Sequence, residues 1–136
     1  MPPDDSVPAG FEDFELAMRR HRKPVESLVG REVYGTDDPV YGYTTPAQAE
    51  ALADRLTLRP GMRLLDIGAG RGWPSLHLAK ISGCQSVLSD VPAVGLREAM
   101  ARAQAGNIPA EFVRASGERP PFRPASFYAV VHTDVL

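Results

Sequence analysis

Leu64-Leu65-Asp66-Ile67-Gly68-Ala69-Gly70-Arg71-Gly72-Trp73-Pro74-Ser75 is the stretch on which the fold turns. An apolar run carries an acid near its end, passes through three glycines on alternate positions, and closes on an aromatic residue and a proline. The run Met62 to Ile67 reads as a buried strand, and Pro74 to Ile81 as a short helix. Glycines at such a junction let the backbone turn sharply and let a ligand come close to its amides. The helix that follows would offer unpaired N–H groups to an anionic or acceptor-rich ligand. The plain structural alternative is a tight turn that lets helix and strand pack closely with no ligand.

Outward from this junction the chain alternates. Gln85 to Asp90 reads as a second strand, and a helix follows Val91-Pro92 and stops at Gly106. Ala110 to Arg114 reads as a third strand, Ala115 to Ser126 as a proline-rich loop, and the segment from Phe127 opens as a fourth strand. This order predicts an α/β fold, a Rossmann-like open and mostly parallel sheet with flanking helices. Upstream, Thr45, Pro46 and Gln48 form a helix start with a capping box, and Ala49, Leu52, Ala53 and Leu56 give that helix its buried face. Pro60 and Gly61 then turn the chain.

The first 45 residues read differently: an acidic, proline-rich leader, a helix from Phe11 to about Arg22, and a loop bearing Tyr34, Tyr41 and Tyr43. That loop is either a lid or a set of buried anchors. The basic run Arg19 to Lys23 suits the helix dipole at a solvated terminus better than a phosphate patch. The expected division is 1–45 for this leader region and 46–136 for the cofactor-binding domain.

Composition sets bounds. The 136 residues have a formal net charge of -2, so no basic field favours nucleic acid. Apolar residues make up 43% and charged residues 24%, ordinary values for a soluble globular protein. The lone Cys84 allows neither an internal disulfide nor a metal-ligand cluster and fits a reducing, cytoplasmic setting. No apolar run approaches membrane-spanning length. We see no internal repeats.

The second functional marker is Asp90, at the end of the next strand and about 20 residues on, where mononucleotide folds set a carboxylate against the ribose hydroxyls. Capping the helix that follows is the competing role. A dinucleotide fingerprint would put glycine at position 73, where Trp73 stands, and the P-loop lysine and hydroxyl are missing. A nucleotide-cofactor oxidoreductase is thereby disfavoured.

At this point the chain resembles the class I S-adenosylmethionine-dependent methyltransferases, whose first motif is (E/D)-x-G-x-G-x-G, here Asp66 to Gly72. The resemblance runs from about Thr44 to Leu136. It implies S-adenosyl-L-methionine as cofactor, with Gly68, Ala69 and Gly70 lining its methionine part and Asp66 helping to hold its ammonium. It implies Asp90 on the ribose diol and Val91 beside the adenine, with Ser116 and Gly117 in the loop that contacts the base. Ser116 stands where the family usually carries aspartate, which leaves that contact to its hydroxyl or to Glu118. Tyr128 likewise replaces a common aspartate. His132 and Asp134 follow the fourth strand near where the donor methyl points in this family; the alternative is a polar strand end that caps the next segment.

The implied reaction is in-line methyl transfer from a sulfonium to a small-molecule acceptor, with no obligatory catalytic triad. No specific catalytic residue and no metal ligand is expected. His77 and His21 read as packing or surface residues, and Trp73 as packing on either the sheet or the adenine side. A sheet that stops just after its fourth strand is expected to be either truncated or completed by a partner or a second copy, as in a homo-oligomer. The rival from another class is a cofactor-binding module that does not catalyse transfer.

Overall fold

The computed structural model describes residues 40 and 42–133. The expected helix over Phe11 to Arg22, His21, two of the loop tyrosines (Tyr34 and Tyr41), and Asp134 lie outside them.

Helix α1 (Pro46–Leu56) starts as its sequence predicts. Thr45 Oγ1 accepts from Gln48 N at 3.2 Å, and Thr45 N donates to Gln48 Oε1 at 2.9 Å. Its buried face is Ala49 and Ala53, with Leu52 and Leu56 half-buried. There follow β1 (Arg63–Ile67), α2 (Ser75–Ser82), β2 (Gln85–Asp90), α3 (Ala93–Ala105), β3 (Ala110–Arg114) and β4 (Ala129–Val131). The fourth strand is shorter than the sequence suggests. Phe127 instead meets Phe122 edge-on at 5.0 Å and lies under the Arg63 guanidinium at 5.0 Å, so it stays in the connection.

The strands form one parallel sheet in the order β3-β2-β1-β4. Steps from β1 to β2 and from β2 to β3 run in the same direction, so right-handed crossovers place α2 and α3 on one face. Packing agrees. Leu64 lies in a cluster with Ala49, Ala53, Trp73, Leu78 and Cys84, and Leu88 in one with Leu96, Ala99 and Ala103. Because Asp66 is level with Leu88 in the register, Leu64, Asp66 and Leu88 all point to that helical face.

The step from β3 to β4 goes back across the sheet, and its connection runs over the opposite face. Arg63 Nη1 donates to the Ser126 carbonyl at 3.4 Å there. A Cβ on Gly117 would stand 2.8 Å from Ile67 Cγ2, so this loop presses directly on the end of β1. The reversal of strand order therefore falls between β1 and β4, and crevices at such reversals receive ligands at the carboxyl ends of the strands.

Candidate cofactor-binding site

The glycine turn sits at that reversal. Its amides are largely committed within the protein. Gly68 N and Ala69 N both donate to the Ser89 carbonyl, at 2.8 and 3.1 Å, and Gly72 N donates to the Ala69 carbonyl at 2.8 Å. Gly70 N donates to Asp90 Oδ2 at 2.7 Å. These four amides therefore already have acceptors within the protein. Neighbouring strand ends supply acceptors, and buried N–H groups take the acceptors within reach.

Two glycines do separate jobs. Gly72 has φ +93, and a Cβ there would come within 2.8 Å of Leu76 Cδ1 and 3.1 Å of Ala99 Cβ. It lets the turn press on α2 and α3. Gly70 has φ +54, and a Cβ there would meet nothing within 4 Å. That position needs glycine for its backbone angle and leaves open room beside the turn. The Ala69 methyl is buried in the α3 cluster, so only its backbone can line a ligand.

The two acids are in opposite states. Asp66 is 1% exposed, and neither carboxylate oxygen makes a hydrogen bond. Burial raises its carboxyl to about 7; the Ser75 hydroxyl pulls the other way, and the Asp90 charge adds to the rise. Asp90 is saturated by amides, with Oδ2 on Gly70 N and Oδ1 accepting from Val91 N at 2.8 Å. Burial also raises Asp90, and the Val91 and Gly70 amides oppose the rise. The helix-capping role for Asp90 is not seen: α3 has Pro92 at its N-cap and no side-chain cap. Two amides use two of the carboxylate's roughly four acceptor positions, so a diol still has places to bind.

Other candidates gather at the same edge. The Val91 carbonyl accepts from Arg114 Nε at 2.7 Å, which ties the ends of β2 and β3 together. Ala115 N donates to the Asp90 carbonyl at 3.0 Å and so draws Ser116 and Gly117 towards Asp90. Ser116 Oγ accepts from Glu118 N at 3.2 Å in a local turn. His132 is exposed, one residue beyond Val131, which is level with Asp66.

Trp73 and His77 lie elsewhere. Trp73 is buried in the α1–α2 cluster and its Nε1 donates to the Thr44 carbonyl at 2.7 Å, which selects the sheet side over the adenine side. His77 packs against it with ring centroids 5.2 Å apart, and its Nε2 is 3.8 Å from Glu50 Oε1. Tyr43, of the loop expected to act as lid or anchor, is 90% exposed. Sequence reasoning missed the Arg71–Glu98 pair, at 2.7 Å, which fastens the glycine turn to α3. Nothing local could have revealed it, because the two residues are 27 apart. Among the described residues, no group of three or more His, Cys, Asp or Glu could hold a metal, and no helix is long and apolar enough to cross a membrane.

Comparison with known proteins agrees with this layout. Among solved structures, the MccD protein superimposes with a TM-score of 0.61 at 17% identity, covering 63% of this chain and 39% of that one. The [4+2]-cyclase SpnF gives 0.58 at 27% identity, covering 62% and 32%. Geranyl diphosphate C-methyltransferase from Streptomyces coelicolor A3(2), solved with Mg2+, geranyl diphosphate and S-adenosyl-L-homocysteine, gives 0.58 at 24% identity, covering 63% and 34%. The chain thus spans 32% to 39% of the lengths of these three structures. No curated protein matches. The profile of the family described as "Methyltransferase domain" matches residues 64–136, more than half of the 136 residues. The sheet order, the glycine turn and this match lead to one conclusion: the chain belongs to the methyltransferase-domain family.

Proposed function

We propose that the chain binds S-adenosyl-L-methionine at the carboxyl edge of β1 and β2 and serves methyl transfer to a small-molecule acceptor. The observation that carries this reading is the glycine turn itself. Four of its amides are closed within the protein, and the Asp90 carboxylate reaches into it. A pyrophosphate needs free N–H donors and would face that carboxylate, so a dinucleotide suits this turn poorly. A ligand with an ammonium group and a ribose diol suits it well, because buried Asp66 has two acceptor oxygens without a partner.

On this reading the backbone of Gly68 to Gly70 lines the methionine part beside the open space at Gly70, and Asp66 supplies negative charge beneath the ammonium. Asp90 takes the ribose diol, and Val91, Ser116 and Gly117 border the adenine. His132 lies towards the reacting side. The cofactor, when bound, supplies a methyl group already activated as a leaving sulfonium. The chain's residues contribute alignment and the exclusion of water, and alignment alone is worth several kcal/mol of barrier. Residues 46–136 form the cofactor-binding domain, and 1–45 stand apart from it.

Calorimetric titration tests the cofactor. S-adenosyl-L-methionine and S-adenosyl-L-homocysteine are expected to bind and NAD to give no heat; NAD binding alone would sink the proposal. A second reading draws on the neighbour with the highest identity of the three, which is named for a [4+2] cyclisation rather than a methylation. This chain would then hold the cofactor without transferring its methyl group. Cofactor binding without methylation of any acceptor in a small-molecule panel would favour that reading. Size-exclusion mass measurement would show whether a second copy is part of the active form.

A further inference from the structure

Asp66 is buried at the root of the glycine turn with neither oxygen in a hydrogen bond. A buried carboxylate without donors is costly, so such a group is held neutral. Leu88 of β2 and Val131 of β4 flank it in the sheet, and neither carries charge. From α2 it meets the Ser75 hydroxyl, and from the end of β2 the Asp90 charge. The remaining titratable groups nearby are turned elsewhere. His77 Nε2 faces Glu50 at 3.8 Å, Arg71 Nε bonds Glu98 Oε2 at 2.7 Å, and Arg114 Nε bonds the Val91 carbonyl at 2.7 Å. Lys80 and His132 are exposed.

We infer that Asp66 is protonated in the ligand-free protein and gives up its proton when a ligand's ammonium group settles over the glycine turn, so that cofactor binding is proton-coupled. The inference rests on the reading above that the ligand presents an ammonium group to Asp66. The step balances simply: the Asp66 O–H bond breaks, the proton passes to solvent, and the resulting carboxylate faces the ligand's ammonium group. No electrons are transferred. Burial, which raises Asp66 to about 7, sets the window. Well below it a proton must leave for each ligand bound; well above it none need leave. Affinity therefore rises with pH through the window and then levels off. An anionic ligand would do the reverse and draw protons in.

The test is calorimetry with S-adenosyl-L-homocysteine at pH 6 and pH 8, each in two buffers of different ionisation enthalpy. About one proton released per ligand at pH 6 and close to none at pH 8 is the expected result. Asp66→Asn should release none at either pH. Heats that do not depend on the buffer at pH 6 would overturn the inference while leaving the cofactor reading intact. Release by Asp66→Asn equal to the parent's would also overturn it, since the proton would then belong to another group such as Asp90. Should Asp66→Asn fail to bind, carboxyl NMR of the ligand-free parent decides. A titration near neutrality that is lost in the variant supports the coupling; every aspartate titrating in the ordinary range defeats it. No heat at any pH would remove the cofactor reading and this inference with it.

Discussion

The turn after β1 and the turn after β2 both leave a buried parallel strand near an aspartate, and both lead into a helix packed on the same face. Their acids nevertheless end in opposite states. Asp66 is level with Leu88, so it lies two residues, roughly 7 Å, deeper in the sheet than Asp90. At that depth the strand amides are used in the ladder and neither oxygen has an amide partner, the Ser75 hydroxyl being the polar group beside it. Asp90, at the edge, finds the Gly70 and Val91 amides at 2.7 and 2.8 Å. The contrast teaches that depth below the carboxyl edge, and not residue type, decides whether an acid here is left without a hydrogen bond or bonds a loop.

The largest effect that would sharpen this contrast is on stability against pH. Asp66 is raised in the folded state from its ordinary 3.8 to about 7, so the folded protein binds more protons than the unfolded chain between those values. Stability therefore falls as pH rises through that window, by up to about 4 kcal/mol for this group. Asp66→Asn should remove that part of the fall: the difference between urea midpoints at pH 5 and pH 8 should narrow in the variant, leaving the smaller contribution of groups such as the raised Asp90. Equal pH dependence in both would break the contrast at its deeper end.

Next comes Asp90→Asn, which puts an amide where a carboxylate accepts two N–H bonds. Bonds to charged groups contribute about 1.5–3 kcal/mol each, so a loss of about 3 kcal/mol in denaturant unfolding is expected. Affinity for S-adenosyl-L-homocysteine should drop on the order of 100-fold in the same variant as the diol loses its acceptors. Full affinity retained would show that Asp90 serves the loop alone.

The two glycines give smaller and more diagnostic effects. Gly72→Ala should cost about 2–3 kcal/mol in thermal or urea unfolding, because its Cβ would press on Leu76 and Ala99 at positive φ. Gly70→Ala should cost only about 1 kcal/mol, the strain of its backbone angle, since its Cβ meets no atom. The same methyl would occupy the open room beside the turn, so calorimetry should find ligand affinity lowered more by Gly70→Ala than its stability cost suggests. Unaltered affinity would place the ligand elsewhere.

Much of this was readable beforehand. β2 and β3 begin and end at the residues the sequence reading sets for them, Gln85–Asp90 and Ala110–Arg114, and the capping box at Thr45 and the stop at Gly106 form as their residues imply. Strand β4 was overestimated because Phe127 finds its partners, Phe122 and Arg63, far away in the chain or across the loop. At the site, Asp66, Asp90, Val91, Ser116, Gly117 and His132 do converge on one edge. Their hydrogen-bond states were not legible, since each depends on a partner from another strand.

The order of residues by itself determined the alternation of strands and helices, the place of the glycine turn and the two acids that flank it. Those follow from local periodicity, capping chemistry and the conformational freedom of glycine. Tertiary structure alone decided that the turn's amides are occupied, that Trp73 belongs to the α1 side, that Arg71 is held by Glu98, and that no amide reaches the Asp66 oxygens. The physical reason is that a hydrogen bond or a buried charge is set by whichever groups the packed sheet brings within about 3 Å. No local pattern in the chain records that distance.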